Sequence, residues 1–179
     1  MIAIMSSRLL QLFEANGRRF RCANGQFLFH AGDSVRLVWL LTEGQIALQR
    51  VTSSGATLIL HRATAGRIVA EASAFSDCYH CDAKSLSESA GLSLARDAFL
   101  SALSKDAECA KDWAGELARG LHSARRRAEI RSLRTVSERL DAWLETGGTI
   151  PEKGCWQDLA AELGVSREAL YRELSSRRA

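Results

Sequence analysis

The sequence has 179 residues, of which 46% are hydrophobic, and its formal net charge is +3. This apolar fraction is that of a globular chain with a packed core, so the composition excludes a disordered chain. The apolar runs, VWLL and TLIL among the longest, are far shorter than the roughly 20 residues that a membrane helix needs. Because MIAIM also lacks the basic start and long apolar region of a signal peptide, we predict a cytoplasmic protein that does not enter a membrane.

Charge is unevenly distributed along the chain. From Arg119 to the end, twelve Lys and Arg residues stand against nine Asp and Glu residues, whereas residues 1–118 carry twelve of each. The excess of positive charge in the C-terminal third favours an anionic partner there, with nucleic acid as the first candidate.

The cysteines are scattered, and their number, five, is odd. Both features favour reduced thiols over a disulfide framework. The residues are Cys22, Cys78, Cys81, Cys109 and Cys155.

The N-terminal part of the chain changes its hydrophobic period near residue 17. Residues 6–16 have helical spacing, which predicts a short helix ending near Asn16. From Arg19 to Ser93, short alternating runs end in glycine-containing turns, and TSSG between IALQRV and ATLILHR is the clearest hairpin loop. This rhythm predicts an antiparallel sandwich or barrel. The recurring glycines are Gly25, Gly32, Gly44, Gly55 and Gly66.

A long amphipathic helix is predicted from Asp106 to Ile130, where apolar residues recur every three or four positions. Two partners fit its stripe: the core of its own domain, or a second chain in a dimer. Gly120 and the alanines of the stripe favour the dimer seam, because small residues let two backbones approach closely. The seam residues are then Trp113, Leu117, Gly120, Leu121, Ala124 and Ala128.

The C-terminal region predicts three shorter helices. Residues 135–138 form a capping-box pattern that begins the first, and GG at 147–148 ends it. The segment WQDLAAELGVSREALYREL then has the anatomy of a helix-turn-helix. Gly164 allows the tight turn, Ser166 is placed to cap the last helix, and Leu170 and Leu174 anchor it.

This spacing leaves polar side chains near the outer face of the last helix. In a major groove, an arginine fork can pair with guanine, and a glutamate can accept a hydrogen bond from cytosine. An ordinary helical hairpin with its charges in water is the alternative interpretation. The outer residues are Arg167, Glu168, Tyr171 and Arg172.

The order of these segments resembles that of the Crp/Fnr family of bacterial transcription regulators over about residues 17–176. The run from LVWLLTEG to EASAF resembles that family's cyclic-nucleotide-binding-type β-roll, and GVSREALYREL resembles its recognition helix. The resemblance implies an α+β fold. Its parts are a jelly-roll-like antiparallel β-roll sensor in residues 1–105, a dimerisation helix in 106–131 and a helix-turn-helix DNA-binding domain in 132–179.

The resemblance also implies how DNA is contacted. The family's usual set is Ser-Arg-Glu and an Arg five positions after the first Arg, which corresponds here to Ser166, Arg167, Glu168 and Arg172. A homodimer would place two such helices in successive major grooves of double-stranded DNA. RNA polymerase is a further partner that the resemblance admits.

The predicted effector pocket departs from the family pattern. In members that bind cyclic nucleotides, the Glu of the phosphate cassette is followed ten residues later by an Arg that pairs with the phosphate, and then by a small hydroxyl residue. Counting from Glu71, those positions hold Cys81 and Asp82, which cannot neutralise a phosphate. We therefore predict that cyclic AMP and cyclic GMP are not ligands, and the effector is left open. The pocket candidates are Glu71, Ala72, Ser73, Cys81 and Asp82.

A second departure concerns the C-terminus. Family members usually continue into a β-hairpin wing, whereas this sequence stops at Ala179. We therefore expect a helix-turn-helix without the wing. Its affinity for DNA would then rely on the dimer and on phosphate contacts from Arg177 and Arg178.

The segment SDCYHCDA brings Cys78, His80 and Cys81 within four residues. Thiolate and imidazole suit zinc or copper(I), and a cysteine pair near a histidine also suits a redox switch. However, C-x-H-C is not a standard zinc spacing, and alternate side chains of an extended segment point to opposite faces. Structural use, metal or redox sensing, and binding of another small effector all stay open.

The sequence has no nucleophile elbow, P-loop or dinucleotide fingerprint. We therefore predict a non-enzymatic, sequence-specific DNA-binding transcription regulator. Two alternatives stay open: a regulator that senses metal or redox state through Cys78, His80 and Cys81, and a ligand- or partner-binding module that does not bind DNA.

Overall fold

A computed structural model describes residues 7–53, 55, 57–152, 154 and 156–177. The chain divides into two compact units, Met1–Ala118 and Arg119–Ala179. Each has a hydrophobic core made from its own residues. None of the described helices is long and apolar enough to cross a membrane.

Two four-stranded sheets form the framework of the first unit. The strands are β1 Arg18–Cys22, β2 Phe27–Phe29, β3 Leu37–Glu43, β4 Gln45–Val51, β5 Thr57–Thr64, β6 Arg67–Val69, β7 Asp82–Ser85 and β8 Ser89–Ala95. One sheet has the order β1-β8-β3-β6, the other has the order β2-β7-β4-β5, and neighbouring strands run antiparallel. The predicted antiparallel β domain is therefore confirmed.

The predicted hairpin is formed by β4 and β5. Their register runs from Gln45 opposite Thr64 to Val51 opposite Thr57. Two residues of the loop segment between them, at positions 54 and 56, lie outside the described residues. The predicted glycine turns are also present, since all five glycines have positive φ angles: Gly25, Gly32, Gly44, Gly55 and Gly66.

Gly44 shows why a glycine is needed between β3 and β4. Its φ is 84°, in the left-handed region that other residues rarely adopt. A Cβ at this position would also collide with the Ser89 hydroxyl and the Glu88 carbonyl. The turn therefore requires glycine both for its conformation and for the close approach of the start of β8.

Alternate side chains along the strands pack into two separate hydrophobic cores. Leu40 packs on one face with helical residues such as Phe13, whereas its neighbour Leu41 packs between the sheets with Ile46 and Val69. This alternation follows from the two-residue period of a β-strand. The first unit is thus a β-roll with helices covering one outer face.

Three helices accompany the β-roll sequence: α1 Ser7–Asn16, α2 Arg96–Lys105 and α3 Ala107–Ser132. The predicted N-terminal helix and the predicted long helix are both confirmed. Asp106 separates α2 from α3, and its carboxylate accepts hydrogen bonds from the backbone N–H groups of Glu108 and Cys109 at 3.0 and 3.1 Å. The boundary between the two units falls within α3, after Ala118.

The second unit continues with α4 Val136–Glu145, α5 Trp156–Leu163 and α6 Arg167–Ser176. The predicted capping box is present: Thr135 Oγ1 accepts from Glu138 N, and the Glu138 carboxylate accepts from Thr135 N. The hydrogen bonds from the backbone and side chain of Thr135 hold the pKa of Glu138 below its ordinary value. Local sequence therefore sets the start of α4.

The described cysteines are free thiols, as predicted. Cys155 lies outside the described residues. Burial raises the pKa of three of the thiols above the ordinary cysteine value, which keeps them in the neutral form. These are Cys22, Cys81 and Cys109.

Candidate functional site

The last helix, α6, is fixed by its apolar face. Leu170 and Leu174 are buried and pack with Leu163 of α5 and Leu140 of α4. Because Leu170 and Leu174 are four residues apart, they lie one turn apart on the same face of the helix. Their burial determines which residues of α6 face outward.

The turn between α5 and α6 has the geometry that the sequence predicts. Gly164 adopts a left-handed φ of 66°, and Val165 N donates to Ala160 O at 3.0 Å. Ser166 is the N-cap of α6, and its hydroxyl accepts from Ala169 N at 3.2 Å. The predicted turn and cap are confirmed, and they fix the start of α6.

Two arginines that the sequence interpretation missed hold the C-terminal end of α5. Arg131 donates to the carbonyls of Glu162 and Ala161 at 3.1 and 3.2 Å. Arg139 donates to the carbonyls of Leu163, at 3.2 Å, and Gly164, at 2.9 Å. These carbonyls have no partners within the helix, and positive charge is favourable at a helix C-terminus. The partners are 24 to 31 positions apart in sequence, so no local pattern marks them.

The predicted outer residues of α6 all lie within its first six positions, from Arg167 to Arg172. Arg167, Glu168 and Arg172 are exposed. The Arg167 guanidinium lies 5.2 Å from the centroid of the Tyr171 ring, and that ring packs edge-on against Trp156. The Glu168 side chain accepts hydrogen bonds from the Glu168 backbone N–H and from the Ser166 side chain. These bonds lower the pKa of Glu168, so its side chain is a carboxylate at neutral pH. The surface presents two cations, one anion and one aromatic ring.

Arg177, which the sequence predicts as a phosphate ligand, forms hydrogen bonds with other residues of the second unit. Its guanidinium is bound to Asp141 at 2.5 Å, to Glu173 at 2.6 Å and to Ser137 Oγ at 2.8 Å. The hydrogen bond with Asp141, followed by that with Glu173, raises the pKa of Arg177 above its ordinary value. Arg178, the other predicted phosphate ligand, lies outside the described residues.

The predicted seam on α3 is divided between two environments. Trp113 is buried in the core of the first unit, with 5.0 Å between its ring centroid and that of Phe99. Leu117 is half-buried against the same core. Trp113 is therefore a core residue that has no face left for a second chain, which corrects its assignment to the seam.

The later part of α3 retains an apolar surface. Leu121 is 50% exposed, Ala124 and Ala128 are exposed, and Gly120 is half-buried. The helix rotates about 100° per residue, so Leu121, Ala124 and Ala128 lie within about 60° of one another around it. This part of the predicted seam is accessible in the single chain.

Glu116 of α3 is a buried charge that sequence reasoning missed. Its side chain is almost fully buried, and Glu116 Oε1 lies 3.1 Å from Arg67 Nε of β6. Buried carboxylates require such a partner because desolvation of an unpaired charge is costly. A glutamate on the flank of an apolar stripe gives no sequence signal that separates burial from exposure.

The predicted effector cassette follows β6 directly. Ala70 adopts a left-handed φ of 53°, and a 3-10 helix then spans Glu71–Phe75. Ser73 is buried, Glu71 is half-buried and Ala72 is exposed, so these three candidates do not share one environment.

Cys81 and Asp82 occupy the positions where the resemblance implies a phosphate ligand and a hydroxyl. Cys81 is buried among apolar residues of the β-roll, and burial raises the pKa of its thiol. The Asp82 carboxylate accepts from Ala31 N at 2.9 Å and lies 3.5 Å from His30 Nδ1. Neither residue supplies a positive charge, as the sequence predicted.

The structure separates the side chains of the predicted metal candidates. Cys78 and His80 are exposed, whereas Cys81 is buried in the β-roll. Arg50 Nη2 fixes the segment by donating to the His80 carbonyl at 2.8 Å. Within the described residues, no group of three His, Cys, Asp or Glu side chains is placed to hold a metal ion.

Comparison with known proteins finds a family match in the first part of the chain. Residues 19–106 match the family model of the cyclic nucleotide-binding domain. No curated protein sequence matches the chain.

Solved structures similar to this chain include transcription regulators. The c-di-GMP-responsive global regulator CLP of Xanthomonas campestris has a TM-score of 0.77 and 20% identity, over 97% of this chain and 92% of that one. FixK2 of Bradyrhizobium japonicum has a TM-score of 0.75 and 16% identity, over 89% and 83%. A CRP-family transcriptional regulator of Thermus thermophilus has a TM-score of 0.70 and 18% identity, over 90% and 84%. At these identities, the likeness establishes the fold.

Proposed function

We propose that this protein is a sequence-specific DNA-binding transcription regulator and not an enzyme, with α5 and α6 acting as a helix-turn-helix. The observation that carries the proposal is the exposed set Arg167, Glu168 and Arg172 within the first six residues of a capped, firmly packed helix. The similarity in fold to CRP-family regulators supports it.

The chemistry of α6 suits readout of a major groove. Arg167 and Arg172 can each form two hydrogen bonds with O6 and N7 of guanine, and Glu168 can accept one from N4 of cytosine. Tyr171 lies beside the Arg167 guanidinium, and a cation–π contact of this kind favours one orientation of the long side chain. A restricted arginine loses less freedom on binding a base.

We further propose that the DNA-binding form is a homodimer. Leu121, Ala124 and Ala128 form an exposed apolar strip on a helix of 26 residues, which suits pairing with the same helix of a second copy. Such a dimer binds two half-sites whose centres are about 34–36 Å apart along the DNA, one helical turn.

The β-roll is proposed to respond to something other than cyclic AMP or cyclic GMP. A cyclic phosphate needs a positively charged partner, whereas Cys81 is a buried neutral thiol and Asp82 is an anion that already accepts a hydrogen bond. Thermal unfolding with each nucleotide at millimolar concentration tests this point, and the melting temperature is expected to stay unchanged. A rise that depends on nucleotide concentration would overturn it.

A gel shift tests the DNA-reading assignment. DNA fragments from the protein's own promoter region are titrated at low salt with the wild type, Arg167→Ala and Arg19→Ala. Arg19 is an exposed arginine on β1, so its loss removes the same charge far from α6 in sequence. We expect about fivefold or greater weakening by Arg167→Ala, because a bidentate base contact contributes roughly 1–3 kcal/mol. Equal binding by all three proteins would overturn the assignment, and no shifted fragment would favour a partner-binding module.

A further inference from the structure

Arg177 connects the C-terminal end of α6 to the start of α4. It lies one residue after α6 and reaches Ser137 and Asp141, which are 40 and 36 positions earlier in the chain. It also bonds back to Glu173 within α6. One guanidinium therefore joins two helices that are distant in sequence.

We propose that Arg177 is a positioning residue that holds the C-terminal end of α6 against α4 and that its guanidinium does not bind DNA phosphate. The inference rests on the proposed function, because the helix it holds is the one that would read DNA.

The hydrogen bonds of Arg177 leave little capacity for a phosphate. A guanidinium has five N–H groups. Four hydrogen bonds are present: Nε to Glu173, Nη1 to Asp141, and Nη2 to both the hydroxyl and the carbonyl of Ser137. A phosphate would have to replace these bonds, so binding it there would release α6 from α4.

The charge around Arg177 also opposes a phosphate. Two carboxylates, Asp141 and Glu173, lie within 2.6 Å of one guanidinium, so the cluster is negative by one charge. The hydrogen bond with Arg177 lowers the pKa of each carboxyl group, and both are therefore ionised at neutral pH. An anion close to them is repelled.

The position of this cluster explains what it would do for DNA reading. The start of α6 is held by the Ser166 cap, and its middle is held by Leu170 and Leu174. Arg177 adds a third point of attachment, at the opposite end from the cap. A helix held at both ends keeps its outer side chains within the narrow tolerances that base contacts require.

Two substitutions distinguish a positioning residue from a phosphate ligand. If Arg177 holds α6, Arg177→Ala and Asp141→Ala both weaken operator binding several-fold, and the dependence of log K on log salt keeps its slope. If Arg177 binds phosphate, Arg177→Ala reduces that slope by about 0.9 per protomer, and Asp141→Ala strengthens binding by releasing the arginine. The two roles thus predict opposite signs for Asp141→Ala.

Glu145→Ala is the matched control, since Glu145 is an exposed carboxylate on the same helix, α4, and its loss changes the net charge equally. We expect it to leave affinity near that of the wild type. Charge alone would strengthen binding in both variants, because each loses an anion that repels DNA. If Glu145→Ala weakened binding as much as Asp141→Ala does, the loss would not depend on the contact with Arg177, and the proposal would be overturned.

Amide hydrogen exchange of peptides from α6, measured on the full chain without DNA, completes the test. We expect exchange in residues 167–176 to accelerate several-fold in Arg177→Ala and in Asp141→Ala, with no further increase in the double variant. Arg172→Ala should leave it unchanged. Unaltered exchange in Arg177→Ala would overturn the positioning role. If the wild type bound no DNA, the proposed function would fail, while this measurement would still decide whether Arg177 holds α6.

Discussion

Arg67 of β6 and Glu116 of α3 form a buried ion pair, with 3.1 Å between Nε and Oε1. The Glu116 side chain is 3% exposed and that of Arg67 is 21% exposed. β6 leads directly into the 3-10 helix of the cassette, whereas α3 carries the exposed apolar strip. Within the first unit, the pair therefore connects β6, which precedes the predicted cassette, to the first part of α3.

The pair should behave differently under single and double replacement. Arg67→Met leaves the Glu116 carboxylate buried without this partner, and we expect a loss of unfolding free energy on the order of 3 kcal/mol. The double variant Arg67→Met/Glu116→Leu should recover most of it, because two apolar side chains leave no buried charge. Urea unfolding of the single and double variants measures both values. A double variant as unstable as the sum of the two single ones would contradict this account.

The apolar strip on α3 predicts the effect of a charge at its centre. Leu121→Glu places like charges on both helices of the proposed seam and removes two leucines from it, so the dimer dissociation constant should rise more than tenfold. His122→Glu is the control, because this neighbouring side chain is exposed and points about 100° away around the helix. Sedimentation velocity across a concentration series measures the dimer dissociation constant of each variant. Unchanged association of Leu121→Glu would place the contact between copies elsewhere.

Arg139 predicts a stability effect that the local sequence would not suggest. Arg139→Ala removes charged hydrogen bonds to the carbonyls of Leu133, Leu163 and Gly164, so we expect a loss of about 2–3 kcal/mol from the second unit. Arg134→Ala removes an exposed arginine nearby and should change stability by less than about 0.5 kcal/mol. Denaturant unfolding followed by tryptophan fluorescence compares them. Equal effects of the two substitutions would contradict the capping role.

The four described cysteines should react at very different rates. In a Cys155→Ser background at pH 8, exposed Cys78 is expected to react first with a thiol reagent. Cys22, Cys81 and Cys109 should be more than about tenfold slower, because burial blocks access and lowers their thiolate fraction. Mass mapping of the modified peptides identifies the order. Rapid modification of Cys81 would show that its part of the β-roll opens.

The same thiols give a pH dependence with a definite sign. Their pKa values are raised in the folded state, so the unfolded state loses protons first as pH increases. The free energy of unfolding should therefore fall above about pH 8.5, the ordinary cysteine pKa, and the fall should continue towards the raised folded pKa values. Replacing Cys81 by Ala should make this fall shallower, which urea titrations between pH 8 and 10 would detect.

Local signals in the sequence predicted local structure well. The capping box of Thr135 and Glu138, the Ser166 cap and the left-handed Gly164 depend on residues within a few positions, and all three are present. The alternating runs and glycine turns likewise predicted the antiparallel sheets.

Long-range partners were beyond sequence reasoning. Trp113 and Leu121 belong to the same apolar stripe of α3, but Trp113 is buried and Leu121 is exposed. The difference arises because Trp113 packs against Phe99, a contact that the stripe itself does not reveal. The sequence predicted Arg177 as a phosphate ligand, because its partner Asp141 lies 36 positions away and no local pattern marks it as a partner. A charge pattern gives the number of cations on a surface, but their availability depends on partners from other helices.

The most direct test of the central claim is selection of bound sequences from a random double-stranded DNA library, with the wild type and Arg167→Ala in parallel. We expect the wild type to enrich a near-palindromic site with two half-sites about 10–11 base pairs apart, because the two α6 helices of the proposed dimer would occupy successive major grooves. The Arg167→Ala variant should lose preference at one symmetric pair of positions and keep it at the others. Enrichment of no sequence by the wild type, or of the same sequence with the same preference by both proteins, would contradict the account.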